Sequence, residues 1–265
     1  MSKFGSTFLD WKELFIPGSF KEFNTFSPFA SNKIFSPNVS WEKTIFLAEL
    51  SRLAYTKDIA LREKILKKFN LEEKLFYSNK GSQFNLLVNN NNVSLKYICC
   101  FRGTDDFYDY KNILTFGKTT WKDKGIVYKG FKNSFDNIEE EIIKISDEIK
   151  NQPIWLVGHS LGGVLAILSS FCFKNPEINV FGIPKIGDET FNLNVKKNKF
   201  HNFYIQNDFI TSLPMFTNEF TTLDGRIIPN IKLQNKTCPG KLYAHAPINY
   251  SLNIKLTQNY DVYNP

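Results

Sequence analysis

Apolar positions recur along the chain at two spacings. Ile45, Leu47, Leu50 and Leu53 fall on one helical face behind Ser40 or Asn38 as cap, which predicts a helix over residues 41–55. A second helix is predicted over 58–69. Short apolar and aromatic runs at 75–78, 84–88 and 93–101 read as strands, and the asparagine run 89–92 predicts a hairpin loop, since Asn tolerates positive φ. Phe131, Phe135, Ile138, Ile142 and Ile145 return to helical spacing and predict one long helix over 130–150. A strand at 153–157, a helix over 161–173, and strands at 179–181, 203–206 and 226–231 follow. Strands alternating with helices, undivided by repeat or linker, predict an α/β fold with a mainly parallel sheet covered on both faces.

Residues 1–40 break this rhythm. Phe4, Phe8, Phe15 and Phe20 begin a series of phenylalanines interspersed with Pro17, Pro28 and Pro37. The expectation is an aromatic arm packed on the core, and a lipid-contacting patch is the alternative. Residues 41–265 then form a single domain. Residues 151–173 carry no charge and approach the length of a membrane span, but Gly158, Gly162, Gly163 and Pro153 make a poor helix centre. Strand, turn and helix describe the stretch better.

Composition narrows the classes. Of 265 residues, 42% are hydrophobic and 22% charged, which argues against disorder, collagen or coiled coil. The net charge of +7 is compatible with an anionic surface. No basic cluster interleaved with aromatics matches a nucleic-acid module, so no nucleic-acid partner is expected. The N-terminal twenty residues lack an apolar secretory core, so an intracellular protein, cytoplasmic or peripheral to a membrane, is expected. Cys99, Cys100, Cys172 and Cys238 show neither CxxC nor metal spacing and read as free thiols, with Cys99 and Cys100 on opposite faces of a strand. No metal and no cofactor is expected.

The chemistry concentrates in Gly158-His159-Ser160-Leu161-Gly162, set between the strand-like 154–157 and the helix-like 164–168. In that context Gly-x-Ser-x-Gly reads as a nucleophile elbow. Gly158 and Gly162 give the tight turn its room, Ser160 projects beyond the strand, and the Leu161 N–H is aimed where an oxyanion would form. A serine hydroxyl needs a base. The chain offers three histidines. His159 adjoins the serine and is expected to face away from it; His201 precedes an apolar strand and reads as a surface or packing residue. His245 follows the last strand and leaves room for an acid before it, in the order Ser, acid, His. Asp208, just past the strand at 203–206, is the candidate acid. Asp188 is more simply a helix cap and Asp224, before Gly225, a turn residue.

Further segments, in order, resemble the class 3 lipases, α/β-hydrolases that include the fungal triacylglycerol lipases. Phe101-Arg102-Gly103-Thr104 is similar to the family's oxyanion strand end, which implies a first oxyanion N–H and a hydroxyl from Thr104. Residues 105–116 stand where the family has its lid, and a stretch this short and polar implies weak interfacial activation. Val127-Tyr128-Lys129-Gly130-Phe131 is similar to Val-His-x-Gly-Phe, with Tyr128 for histidine. Phe181-Gly182-Ile183-Pro184-Lys185 resembles a Gly-x-Pro-Arg segment, with Lys185 for arginine. Asn207-Asp208 with Leu213-Pro214 resembles the segment that holds the family's catalytic Asp, and His245 with Tyr250 resembles its ending. The resemblance covers roughly residues 40–255. It implies an α/β-hydrolase with a small lid and no large cap domain, acting on acylglycerol or phospholipid esters at a membrane or lipid-droplet surface. A carboxylesterase of soluble esters, and a catalytically silent lipase-like interaction module, are the alternatives.

Overall fold

The computed structural model describes residues 40–91, 95–104, 117–214, 219–230 and 243–263. The aromatic arm (1–39), the lid segment (105–116) and Cys238 lie outside the described residues.

Seven strands form one sheet. They are β1 (Leu71–Asn79), β2 (Ser82–Asn89), β3 (Tyr97–Phe101), β6 (Ile154–His159), β7 (Glu177–Phe181), β8 (Lys199–Ile205) and β9 (Arg226–Ile228), in the order β1-β2-β3-β6-β7-β8-β9. β1, β2 and β3 pair antiparallel; from β3 to β9 every pairing is parallel. The two-residue turn between β1 and β2 falls at Lys80 and Gly81, both at positive φ (46° and 85°). The asparagine run begins the connection from β2 to β3, which pair antiparallel as the predicted hairpin requires. A separate antiparallel pair, β4 (Lys118–Thr120) and β5 (Ile126–Tyr128), is too short to leave a periodic signature.

Side chains alternate between the faces, so each strand feeds two cores. Leu86, Cys99, Leu156 and Val180 point to one face. They pack there with α3 (Lys129–Asp136), α4 (Glu139–Ile149), α5 (Leu161–Ser169) and α6 (Glu189–Val195). Leu87, Cys100, Val157 and Phe203 point to the other. That face is closed by α1 (Trp41–Leu53), α2 (Ile59–Lys67) and α7 (Pro247–Tyr263). Cys99 and Cys100 do face opposite ways, and burial pushes both thiols up from their ordinary value.

Three helices depart from the expected pattern. The single helix over 130–150 is two, broken between α3 and α4 at Asn137 and Ile138. There the Asn137 carbonyl accepts from Asn79 Nδ2 (2.9 Å) on β1, while Ile138 stays in the core. The helix after the serine ends at Ser169 and tightens into a 3₁₀ turn, Ser170–Cys172. α1 is buried well beyond one face: Lys43, Glu49, Ser51 and Arg52 are each at most 1% exposed. Their charges are paired within the fold. Arg52 Nη1 reaches Glu49 Oε2 at 3.2 Å, and Lys43 Nζ reaches Glu177 Oε1 at 2.6 Å while lying 4.1 Å from the Trp155 ring centroid.

Glu177, at the amino end of β7, also takes Lys199 Nζ at 3.0 Å on Oε2 and has His201 Nε2 3.6 Å from Oε1. Burial pushes its carboxyl upward. The hydrogen bonds from Lys43 and Lys199 outweigh that and hold it below its ordinary value. Asp188 caps α6, accepting from Phe191 N at 2.8 Å. Among the described residues no helix is long and apolar enough to cross a membrane.

Candidate active site

The carboxyl ends of β3, β6 and β8 meet on one rim of the sheet, where open α/β sheets place their sites. Ser160 follows β6 at φ 58°, ψ −129°, a conformation L-residues seldom adopt. The turn persists because its surroundings hold it. Ser160 N donates to the Phe181 carbonyl of β7 (2.9 Å), and the Ser160 carbonyl accepts from Gly163 and Val164 N (3.0 and 3.2 Å). Two glycines are required by contact. A Cβ on Gly158 would lie 2.3 Å from the Gly162 carbonyl, and one on Gly162 would lie 2.3 Å from the Phe101 carbonyl and 2.8 Å from Gly103 N. The first turn of α5 is thereby pressed onto the end of β3, bringing Leu161 and the Thr104 segment to the same place. Leu161 opens α5, where helix N–H groups lack intrahelical acceptors.

Asp208 is presented by a second tight turn. Asn207 takes φ 71°, and Asp208 N donates back to the Ile205 carbonyl at 3.0 Å. The Asp208 carboxylate is wholly buried. Three donors compensate that burial: Ile210 N on Oδ1 (3.0 Å), and His245 Nδ1 (2.8 Å) and the Tyr250 hydroxyl (2.6 Å) on Oδ2. His245 ends a 3₁₀ turn, Tyr243–His245, just before α7. Its Nε2 lies 2.8 Å from Ser160 Oγ. Ser160, His245 and Asp208, separated by 85 and 37 positions in the sequence, therefore form one unbroken hydrogen-bonded line. A hydroxyl, an imidazole and a carboxylate so aligned can move a proton off the hydroxyl.

The other expected residues fall elsewhere. His201 lies within β8 opposite Asn179, which pairs with Val157 of β6. Two strands across and three residues along, it is roughly 14 Å from Ser160. Asp224 is exposed and pairs with Lys196. Tyr128, in the place of the family's histidine, is buried with its ring 4.4 Å from that of Phe220.

Residues 98–218 match the family described as Lipase (class 3). The resemblance to the class 3 lipases is thus carried by the stretch from β3 to just past the Asp208 turn. Its fold agrees with that of solved lipases. The triacylglyceride lipase of Rhizomucor miehei is similar at 18% identity and a TM-score of 0.62, over 74% of this chain and 82% of that one. The Lip2 lipase of Yarrowia lipolytica is similar at 17% and 0.58, over 72% and 78%. The lipase of Rhizopus microsporus var. chinensis is similar at 17% and 0.58, over 71% and 74%. No curated protein sequence matches the chain. The family match and the lipase fold support a serine ester hydrolase acting on lipid esters.

Two residues of the site lie outside the three-residue line. Tyr250 bonds the acid, and burial together with the Asp208 charge pushes its hydroxyl well above the ordinary value, so it remains a donor. His159 bonds Tyr55 and the His245 carbonyl and not Ser160, and its ring lies against that of His245, tilted by 37° with centroids 4.6 Å apart. The repeated spacing of His245 and Tyr250 in the family segment was the available signal for Tyr250. Nothing in the spacing of the three histidines marks His159.

Proposed function

We propose that the chain is a class 3 lipase that cleaves acylglycerol or phospholipid esters through an acyl-enzyme on Ser160. One observation carries the reading: the continuous line from Ser160 Oγ through His245 to Asp208, at 2.8 Å for each step. His245 Nδ1–H donates to Asp208, which leaves Nε2 bare to accept the Ser160 proton as Oγ attacks the acyl carbonyl. Asp208 then stabilises the imidazolium, and Tyr250 and Ile210 N–H keep its carboxylate in place. The N–H groups of Thr104 and Leu161 receive the tetrahedral oxyanion. The His245 proton passes to the leaving alcohol. Water, activated by the same imidazole, releases the acid and restores the Ser160 hydroxyl.

The family and the fold support a lipid ester as substrate, and the +7 charge supports work at an anionic surface. The test is a fluorophosphonate probe on the purified chain, followed by mono-, di- and triacylglycerols, phospholipid vesicles and short soluble esters. Labelling at Ser160 with preference for the lipids is expected. Absence of labelling would remove the acyl-enzyme, and a preference for soluble esters would move the enzyme to the carboxylesterases.

A further inference from the structure

The proton relay uses one histidine, but a second is built into the same turn. His159, the residue before Ser160, is buried, and both ring nitrogens are engaged. Nε2 lies 2.8 Å from the main-chain carbonyl of His245, and Nδ1 lies 3.1 Å from the hydroxyl of Tyr55, just past the end of α1. A carbonyl only accepts, so Nε2 carries the hydrogen. Burial, reinforced by the adjacent His245, keeps the ring neutral by pulling its protonation well below the ordinary range. Nδ1 is therefore bare and accepts the Tyr55 O–H. Tyr250 closes the remaining side, with its ring 5.4 Å from that of His159.

These contacts join the elbow, the turn that bears His245 and the end of α1. The base arrives on a three-residue 3₁₀ turn, and Asp208 holds only its side chain. His159 holds its main chain. Because His159 and Ser160 are consecutive, the hook for the base and the nucleophile belong to one strained turn, and a shift of one carries the other. Tyr55 extends the hold to the oxyanion strand end. A Cβ on Gly103 would stand 2.0 Å from the Tyr55 hydroxyl and 2.7 Å from the His159 carbonyl. The same segment is tied a second way, since Gln83 donates to the Ala54 carbonyl (3.0 Å) and accepts from Arg102 Nη1 (3.0 Å).

We propose that Tyr55 and His159 act as a pair of positioning residues, Tyr55 fixing the tautomer of His159 and His159 fixing the main chain of His245 at hydrogen-bonding distance from the nucleophile. The inference rests on the acyl-enzyme reading of Ser160. A neutral His159 also leaves room for positive charge on His245 during turnover, whereas a second imidazolium 4.6 Å away would oppose that charge.

The test begins with the full-length wild-type chain, probe labelling and turnover of a p-nitrophenyl ester. Failure there overturns the acyl-enzyme reading before any variant is made. With labelling established, Tyr55→Phe, His159→Phe, His159→Gln and the double variant Tyr55→Phe/His159→Phe are compared by kcat, KM, pH–rate profile and thermal melting. Tyr55→Phe should lower kcat roughly three- to ten-fold, the worth of one hydrogen bond. KM should stay within about two-fold and the acid limb of the profile should move. His159→Phe should lower kcat further, and His159→Gln, which retains an N–H donor, should recover part of the loss. In the double variant the Tyr55 change should add nothing, because the partner it acts through is gone. A Tyr55→Phe enzyme with wild-type kcat and an unmoved profile overturns the proposal. So do losses that multiply independently in the double variant, and so does a lowered melting temperature with kinetics intact. If His159→Phe fails to fold, Tyr55→Phe and His159→Gln decide the matter.

Discussion

Two histidine–carboxylate pairs lie at opposite ends of the same parallel strands. At the carboxyl ends His245 meets Asp208 at 2.8 Å; toward the amino ends His201 stands 3.6 Å from Glu177. Both carboxylates are largely buried and both are multiply hydrogen bonded. They differ in what surrounds them. The donors on Asp208 are a main-chain N–H, a tyrosine hydroxyl and the histidine, with no lysine or arginine among them, and the far nitrogen of that histidine reaches a hydroxyl. The donors on Glu177 are two lysines, and His201 has only that crowded carboxylate before it. Burial and the lysines outweigh Glu177 and hold the His201 imidazole below its ordinary value. A histidine beside a carboxylate is thus not yet a catalytic pair. It becomes one when the carboxylate has no competing cation and the other nitrogen has a nucleophile.

Substitutions can break that contrast at either end. The largest effect belongs to Ser160→Ala, which should cut ester turnover by about 10⁶ with the melting temperature kept. A folded variant that still turns over would move the chemistry off this residue. Asp208→Asn should cost about 10⁴ in kcat, since the amide favours the wrong tautomer of His245; retained turnover would remove Asp208 from the relay. Glu177→Gln should instead leave kcat within about two-fold while lowering stability by about 2 kcal/mol, because buried Lys43 loses its nearest anion. A matched comparison of urea midpoints and kcat separates these two carboxylates, and a catalytic defect in Glu177→Gln would erase the distinction.

A smaller effect is expected from pH. His159 and His201 both have folded-state values below 6.5. Above 6.5 they are neutral in folded and unfolded chains alike. As pH falls below 6.5 the unfolded chain takes up protons that the folded one refuses, so stability declines. Glu177 adds to the loss lower down. Its folded value is depressed, so its contribution is present above about 4.5 and is lost as pH falls through the folded value. Denaturant midpoints from pH 7 to pH 4 should fall accordingly, and a flat curve would contradict the burial of these rings. Smallest of all, His201→Ala should reduce the upper part of that slope and leave activity within about two-fold. A large catalytic loss there, with His245→Ala active, would exchange their roles.

The sequence revealed the sheet and the serine more readily than the helices around them. The strands are legible as short unbroken apolar runs because both faces of β3 and β6 are buried. The elbow was legible because its glycines answer to contacts within a few residues and to one neighbouring strand. α1 was misjudged as one-sided, since Lys43, Glu49 and Arg52 look like a solvent face until their buried partners are known. α7 left no clear pattern for the same reason: Asn249, Ser251 and Asn253 are buried beside Tyr250 and Ile254. The break between α3 and α4 depends on Asn79, some sixty positions away, and no local rule anticipates it. The position of His159 likewise depends on two residues, Tyr55 and His245, that flank it at long range.

The packing of α7 on α1 has a consequence for how the molecule comes into being. These helices cap the same face of the sheet from the two extremes of the described fold, and α7 follows immediately on the turn that delivers His245. During synthesis the elbow and the acid leave the ribosome together with their strands. The imidazole can reach them only once the last helix has docked against one of the first. The hydrogen-bonded line therefore closes late in assembly, after most of the architecture is in place, and a nascent chain stalled short of α7 would carry His245 on a turn not yet docked.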